Sequence, residues 1–346
     1  MNSNPKRPGL DHRERWIWSS AALLVITTLL SLGLGRYAIP VTDLAHFLAA
    51  WVGFGDLPAD RFALLHSVII DTRLPRVLAA ILVGAGLSVS GAAYQAVFRN
   101  PLVSPGLLGV LSGCAFGAAC GIVLGLQGLW ITVLASLAGL LAVGIGVGIA
   151  SLFPGASILI LVLGGIVSNA LFTSLLSIVK YLADPQDQLP SIVYWMLGSL
   201  GAVDTEALTW TAPLLMLAIV LMCLLGRAID ALSLSDDEAH SLGVSVRRIR
   251  YGIITLATLI SALTVSIAGM IGWVGLLIPH LARLLVGPRN AALVPMSALL
   301  GGSFLLAADD LARTLTSGEI PLGIITELLG AIAFVLVLNR VRRGWL

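Results

Sequence analysis

The chain has 346 residues, 58% of them hydrophobic and 11% charged, and its mean hydropathy is +1.00. A water-soluble domain of this length needs about a quarter of its residues charged to cover its surface, so a soluble globular fold is excluded. The net charge of +2, with no basic run interleaved with aromatics, gives no ground for a nucleic-acid partner.

In lipid every backbone polar group must be satisfied within the chain, which leaves helices or a closed barrel. Apolar stretches of about 15–25 residues without alternating polarity select helices. In chain order the predicted spans are 17–35, 77–97, 105–125, 128–152, 157–179, 208–226, 249–270, 272–286, 291–308 and 322–339. Lys6, Arg7, Arg13 and Arg15 before the first span resemble a signal peptide. No small-x-small cleavage site follows Leu34, so an uncleaved span is expected. Gly84, Ser88 and Gly91 share one face of the second span, and Gly144 and Gly148 one face of the fourth. Small residues at this spacing let backbones approach, so both faces are expected at helix contacts. Cys114, Cys120 and Cys223 each lie inside an apolar run. They show no metal-ligand spacing or disulfide framework and are expected to pack as small apolar side chains. The eighth span is too short to cross a full bilayer at ~1.5 Å per residue and reads as a buried half-helix. Residues 43–54 and 190–203 are apolar but interrupted, as interfacial or re-entrant pieces are.

An even number of spans puts both termini on one side. That side then holds Lys6, Arg7, Arg13, Arg15, Arg99, Arg227, Arg247, Arg248, Arg250, Arg283, Arg289, Arg340, Arg342 and Arg343, fourteen of the 20 cations. The other keeps Arg36, Arg61, Arg73, Arg76, Lys180 and Arg313. The excess predicts cytoplasmic termini for a multi-pass membrane protein.

Enzyme motifs are mostly absent. Lys6 and Lys180 are the only lysines, and neither follows Gly-x-x-x-x-Gly, so a Walker A loop is excluded. His12, His46, His66, His240 and His280 form no His-x-x-x-His pair, which argues against a membrane zinc protease. Neither Ser90-Gly91 nor Ser112-Gly113 has a glycine two residues before the serine, so a serine protease has weak support. A secondary transporter is the stronger rival, but coupling ions need ionisable groups inside spans. Here Glu327, early in the last span, is the main one. The loop 227–250 carries the capping box Ser235-Asp236-Asp237-Glu238, whose serine oxygen and Glu238 satisfy donors at a helix start. Ala239 and Leu242 continue one face and Gly243 is a natural stop. A short capped helix is therefore expected there, serving as a solvated connector or as a knob that docks in a partner.

Arg73-Leu74-Pro75-Arg76, Leu82-Val83-Gly84-Ala85 and Ser90-Gly91 together resemble the start of the permeases that import iron–siderophores, haem and cobalamin. Arg99-Asn100-Pro101-Leu102, Pro105-Gly106-Leu107-Leu108-Gly109-Val110 and Leu242-Gly243-Val244 continue the likeness. So do Gly275-Leu276, Pro279-His280 with Arg283, and Ile320-Pro321-Leu322-Gly323. The order of these motifs over roughly residues 70–340 identifies the chain as similar to the FecCD-like family of binding-protein-dependent importers.

The resemblance implies an all-α permease domain over 1–346, of about ten spans in one bundle, the type II importer fold. It implies a second permease copy or paralogue, two cytoplasmic ATPase subunits that use ATP and Mg, and a soluble binding protein outside. No cofactor is expected on this chain itself. The implied cargo is a metal chelate, ferric siderophore first, with cobalamin, haem or a molybdate-like oxyanion as alternatives. The segment from Ser235 through Asp236, Asp237, Glu238, Ala239, Leu242 and Gly243 to Val244 would couple to the ATPase. The family often has glycine where Ser235 stands. Arg73, Arg76 and Arg313 would meet acids on the binding protein, a local pair with Asp309-Asp310 being the alternative for Arg313. Pro154-Gly155-Ala156-Ser157 resembles the inner gate, its small residues letting two such turns approach.

Overall fold

The computed structural model describes residues 10–35, 37–153, 158–201, 203–232, 245–316 and 318–343. Their regular structure is helical throughout. In chain order the helices are α1 Leu10–Gly33, α2 Val41–Trp51, α3 Ala59–His66, α4 Leu74–Val97, α5 Val110–Val123, α6 Leu129–Ser151 and α7 Ile158–Leu182. There follow α8 Gln188–Met196, α9 Thr205–Leu224, α10 Gly226–Ala231, α11 Val246–Ala268, α12 Val274–Val286, α13 Asn290–Thr314 and α14 Leu322–Arg343. Among the described residues seven helical runs are long and apolar enough to cross a bilayer. Three shorter apolar ones, Val110–Val123, Val274–Val286 and Leu322–Leu336, complete the set expected from the sequence. α2 and α8 are the two interrupted apolar pieces, now seen as short helices between spans.

α4 is the axle of the bundle. Its most apolar window is 89% buried inside the protein, against 17% for α1. It packs on α9, α11, α12 and α13. These contacts are close because glycines meet backbone. A Cβ at Gly84 would strike the carbonyl of Gly301 in α13, and one at Gly91 the carbonyl of Gly275 in α12. The face Gly84, Ser88, Gly91 is thus the contact surface its spacing predicted. The corresponding expectation for the fourth span is corrected. Nothing lies within 4 Å of a Cβ at Gly144 or Gly148, and the approach of α6 to α7 runs through Gly146 against Gly164. At about 100° per residue Gly146 points away from its neighbours in sequence, so spacing found a small face but not the buried one.

Two further differences concern span boundaries. Residues 59–73, with Asp60, Arg61, His66 and Asp71 breaking their apolarity, form α3 and a π-helical turn, Ser67–Arg73, that run directly into α4. The run Ala59–Val97 is 39 residues long, more than the hydrocarbon layer needs, so its first part extends beyond that layer. α12, by contrast, has 13 residues and is the half-helix expected. It is entered through Trp273, whose φ of +66° is rare for a non-glycine residue. The nearby non-helical backbone is satisfied by neighbouring segments: Ser199 N donates to Ala268 O at 2.9 Å, and Leu322 N to Gly198 O at 2.8 Å. That is the condition on which irregular chain survives at membrane depth.

Candidate functional site

Both α1 and α14 have their chain-terminal ends at one end of the bundle, called here the terminal end. The far end carries the three arginines singled out above. The π-helical turn and the start of α4 present Arg73 and Arg76, and the last turn of α13 presents Arg313. Arg76 holds Asp309 in a bidentate grip, Nε to Oδ2 and Nη2 to Oδ1, both 2.9 Å. Its Nη1 donates to Glu319 at 3.0 Å. Arg313 donates to Asp310, and to the carbonyl and hydroxyl of Ser31 at 2.7 and 2.8 Å. Arg73 donates to the carbonyls of Leu32, at 2.5 Å, and Tyr37. Asp309 is 1% exposed, Arg73 6% and Arg313 7%. The local pair with Asp309-Asp310 named as the alternative for Arg313 is present, and Arg73 and Arg76 also find partners within the chain. They tie α1, α4 and α13 together, and the acids that meet them come from this chain. Burial requires this, since a guanidinium taken from water is tolerated only with carboxylates or carbonyls around it.

α7 supplies a feature that the sequence reading passed over. One face is buried through Leu161, Gly164, Gly165, Ser168, Phe172 and Leu176. On the open side Asn169, Thr173 and Ser177 recur every fourth residue, all exposed. Polar groups in mid-span are costly against lipid, so this strip belongs against water or a second protein surface. The signal was present as a polar residue at every helical turn of an apolar run. Glu327 in α14 is likewise exposed and lies beside Gly272, where a Cβ would stand 3.7 Å from its carboxylate. Trp273 and Phe334, edge to face with ring centres 5.6 Å apart, hold α12 to α14 next to it. Gly155, Ala156 and Ser157 lie outside the described residues.

At the terminal end Ser235, Asp236, Asp237, Glu238, Ala239, Leu242, Gly243 and Val244 also lie outside the described residues. Their flank is well anchored. Asp230 in α10 accepts from the backbone N–H of Asn290 at 2.6 Å and from its side-chain amide at 3.0 Å, fixing α10 to the start of α13. Arg99 Nε donates to Leu232 O at 2.8 Å, fixing the same flank to the turn after α4. The residues up to Leu232 are thereby tied to α4 and α13, two helices that pack closely on each other.

With this geometry in view, comparison with known proteins is informative. Residues 23–340 match the model of the FecCD transport family. The molybdate import system permease protein MolB of Haemophilus influenzae is 39% identical over 338 residues, 96% of this chain and 98% of that one. The hemin transport system permease protein HmuU of Yersinia pestis is 37% identical over 279 residues, 79% of this chain and 83% of its own. A solved inward-facing structure of a metal-chelate type ABC transporter superposes with a TM-score of 0.82 at 36% identity, covering 94% of this chain and 99% of that one.

Proposed function

The chain belongs to the FecCD transport family, and from that premise we propose that it conducts a metal chelate across the plasma membrane as the permease of an ATP-driven importer. A ferric siderophore is the cargo proposed first. The observation that carries the reading is the exposed strip Asn169, Thr173, Ser177 on α7. Facing a second permease copy, it would line a shared path that polar cargo can follow, with Glu327 of α14 alongside. The terminal end is cytoplasmic in this proposal, and segment 233–244 receives the stroke of two ATPase subunits. The anchoring of its flank by Asp230 and Arg99 supports a transmitting role. Binding-protein docking is assigned to the far-end rim held by Arg73, Arg76 and Arg313. Arg76 and Glu319, 16% and 32% exposed, are its accessible members. The full-length likeness to a molybdate permease supports an oxyanion as the second reading of the cargo.

Reconstitution tests this. The chain alone in liposomes should hydrolyse no ATP and move neither ferric siderophore nor molybdate. With its cognate ATPase and binding protein it should take up the iron complex only when ATP is present. Uptake without the ATPase would overturn the importer reading, and ATP-driven uptake of molybdate alone would transfer the cargo to the second reading.

A further inference from the structure

Arg283 stands in the last turn of α12, and its Nη2 donates to Gln95 Oε1 of α4 at 3.0 Å. A guanidinium carries five donors and keeps its charge at any physiological pH. Among the described residues Arg283 has that one neutral acceptor and no carboxylate. Gln95 is itself 3% exposed, and its amide nitrogen points to Leu276 O at 3.4 Å, so its oxygen is aimed at the arginine. His280, one turn earlier, has Nε2 3.1 Å from Pro101 O, where a carbonyl can only accept. It therefore offers Arg283 no negative charge. Arg13 of α1 reaches the same helix end. Its Nη2 is 3.6 Å from where a Cβ of Gly287 would stand, and its Nε is buried without a hydrogen-bond partner.

The helix end accounts for part of this crowding. Cations are favoured at a helix C-terminus, but weakly. That gain is small beside the cost of a partly desolvated charge without an opposite one. A glutamate at position 95 would close the account within the chain. Glutamine instead orients the guanidinium while leaving its charge and its other donors available. We propose that Arg283, oriented by Gln95, seats an anionic oxygen supplied from outside the chain: a free tetrahedral oxyanion or the phosphate of an anionic lipid. The seat stands on these contacts and does not depend on which cargo the permease carries.

The test uses the full-length chain in nanodiscs, with molybdate as the soluble probe and phosphatidylglycerol as the lipid probe. In phosphatidylcholine discs, calorimetry should find molybdate binding that Arg283→Gln and Gln95→Glu each weaken at least tenfold. If the source is lipid, native mass spectrometry should instead find phosphatidylglycerol retained by the wild type and lost at least threefold more readily from both variants. Gln95→Glu keeps the buried contact and supplies an internal partner, so it separates loss of the seat from loss of the fold. Wild-type behaviour of both variants toward both probes would overturn the proposal. So would loss of ATPase-subunit co-purification in Arg283→Gln with both anion measurements unchanged, which would identify a protein carboxylate as the partner.

Discussion

At the far end of the bundle Arg73, Arg76 and Arg313 are enclosed by Asp309, Asp310, Glu319 and the carbonyls closing α1. Among the described residues at the terminal end, Arg283 meets one neutral amide, and Arg13 has a buried nitrogen without a partner. The same residue type thus does opposite work. Carboxylates from distant parts of the chain turn the far-end arginines into joints between helices. Among the described residues no carboxylate meets Arg283, and on the proposal above its charge is open to something that arrives and leaves. Surface arginines in a sequence do not announce which of these they are, because the answer lies in what the fold brings beside them.

The largest effect expected from this contrast belongs to Asp309→Asn. It removes the buried carboxylate gripped by Arg76 and lying 3.9 Å from Arg313, leaving Arg76 with Glu319 alone and the buried Arg313 with Asp310 alone. Breaking a buried pair in this way costs about 3–5 kcal/mol. The variant should show a matching fall in unfolding free energy in detergent and lower abundance in the membrane. A change under about 1 kcal/mol would mean that the far-end network is decorative. A smaller effect is expected for Arg283→Gln, whose unfolding free energy should stay within about 1 kcal/mol of the wild type, since no paired charge is broken. A loss as large as that of Asp309→Asn would erase the distinction between the two ends. The smallest belongs to Arg61→Gln. The Arg61–Asp43 pair and the bond to Tyr37 lie in solvent-exposed chain, so the melting temperature should not move measurably. A clear drop would show that the far end draws strength from its rim as well as its interior.

Much of the architecture was legible in the sequence because lipid leaves the backbone little choice. Length of apolar run gave the spans. What escaped depended on long-range partners. Arg76 lies 233 residues from Asp309 and 243 from Glu319, so nothing near it in sequence signals either pair. Arg313 and Asp310 are three apart, and that pair could be anticipated. Periodicity located small faces on the second and fourth spans, but burial decided between them and chose Gly146 over Gly144 and Gly148. Asn169, Thr173 and Ser177 were readable as one face. Hydropathy averages the three polar groups away among the leucines and isoleucines around them.

The pairing of Arg76 with Asp309 also sets a timetable for biogenesis. With 233 residues between the two and synthesis at about 5–20 residues per second, roughly 12–47 s pass before the acid exists. For that interval Gly84 lacks Gly301 and Arg76 lacks its acid, although Gly275 of α12, the partner of Gly91, is made earlier. Only when α13 enters do the carboxylate and Gly301 arrive together, one closing the charge and the other the groove. The packing of the axle is therefore complete only once α13 is made.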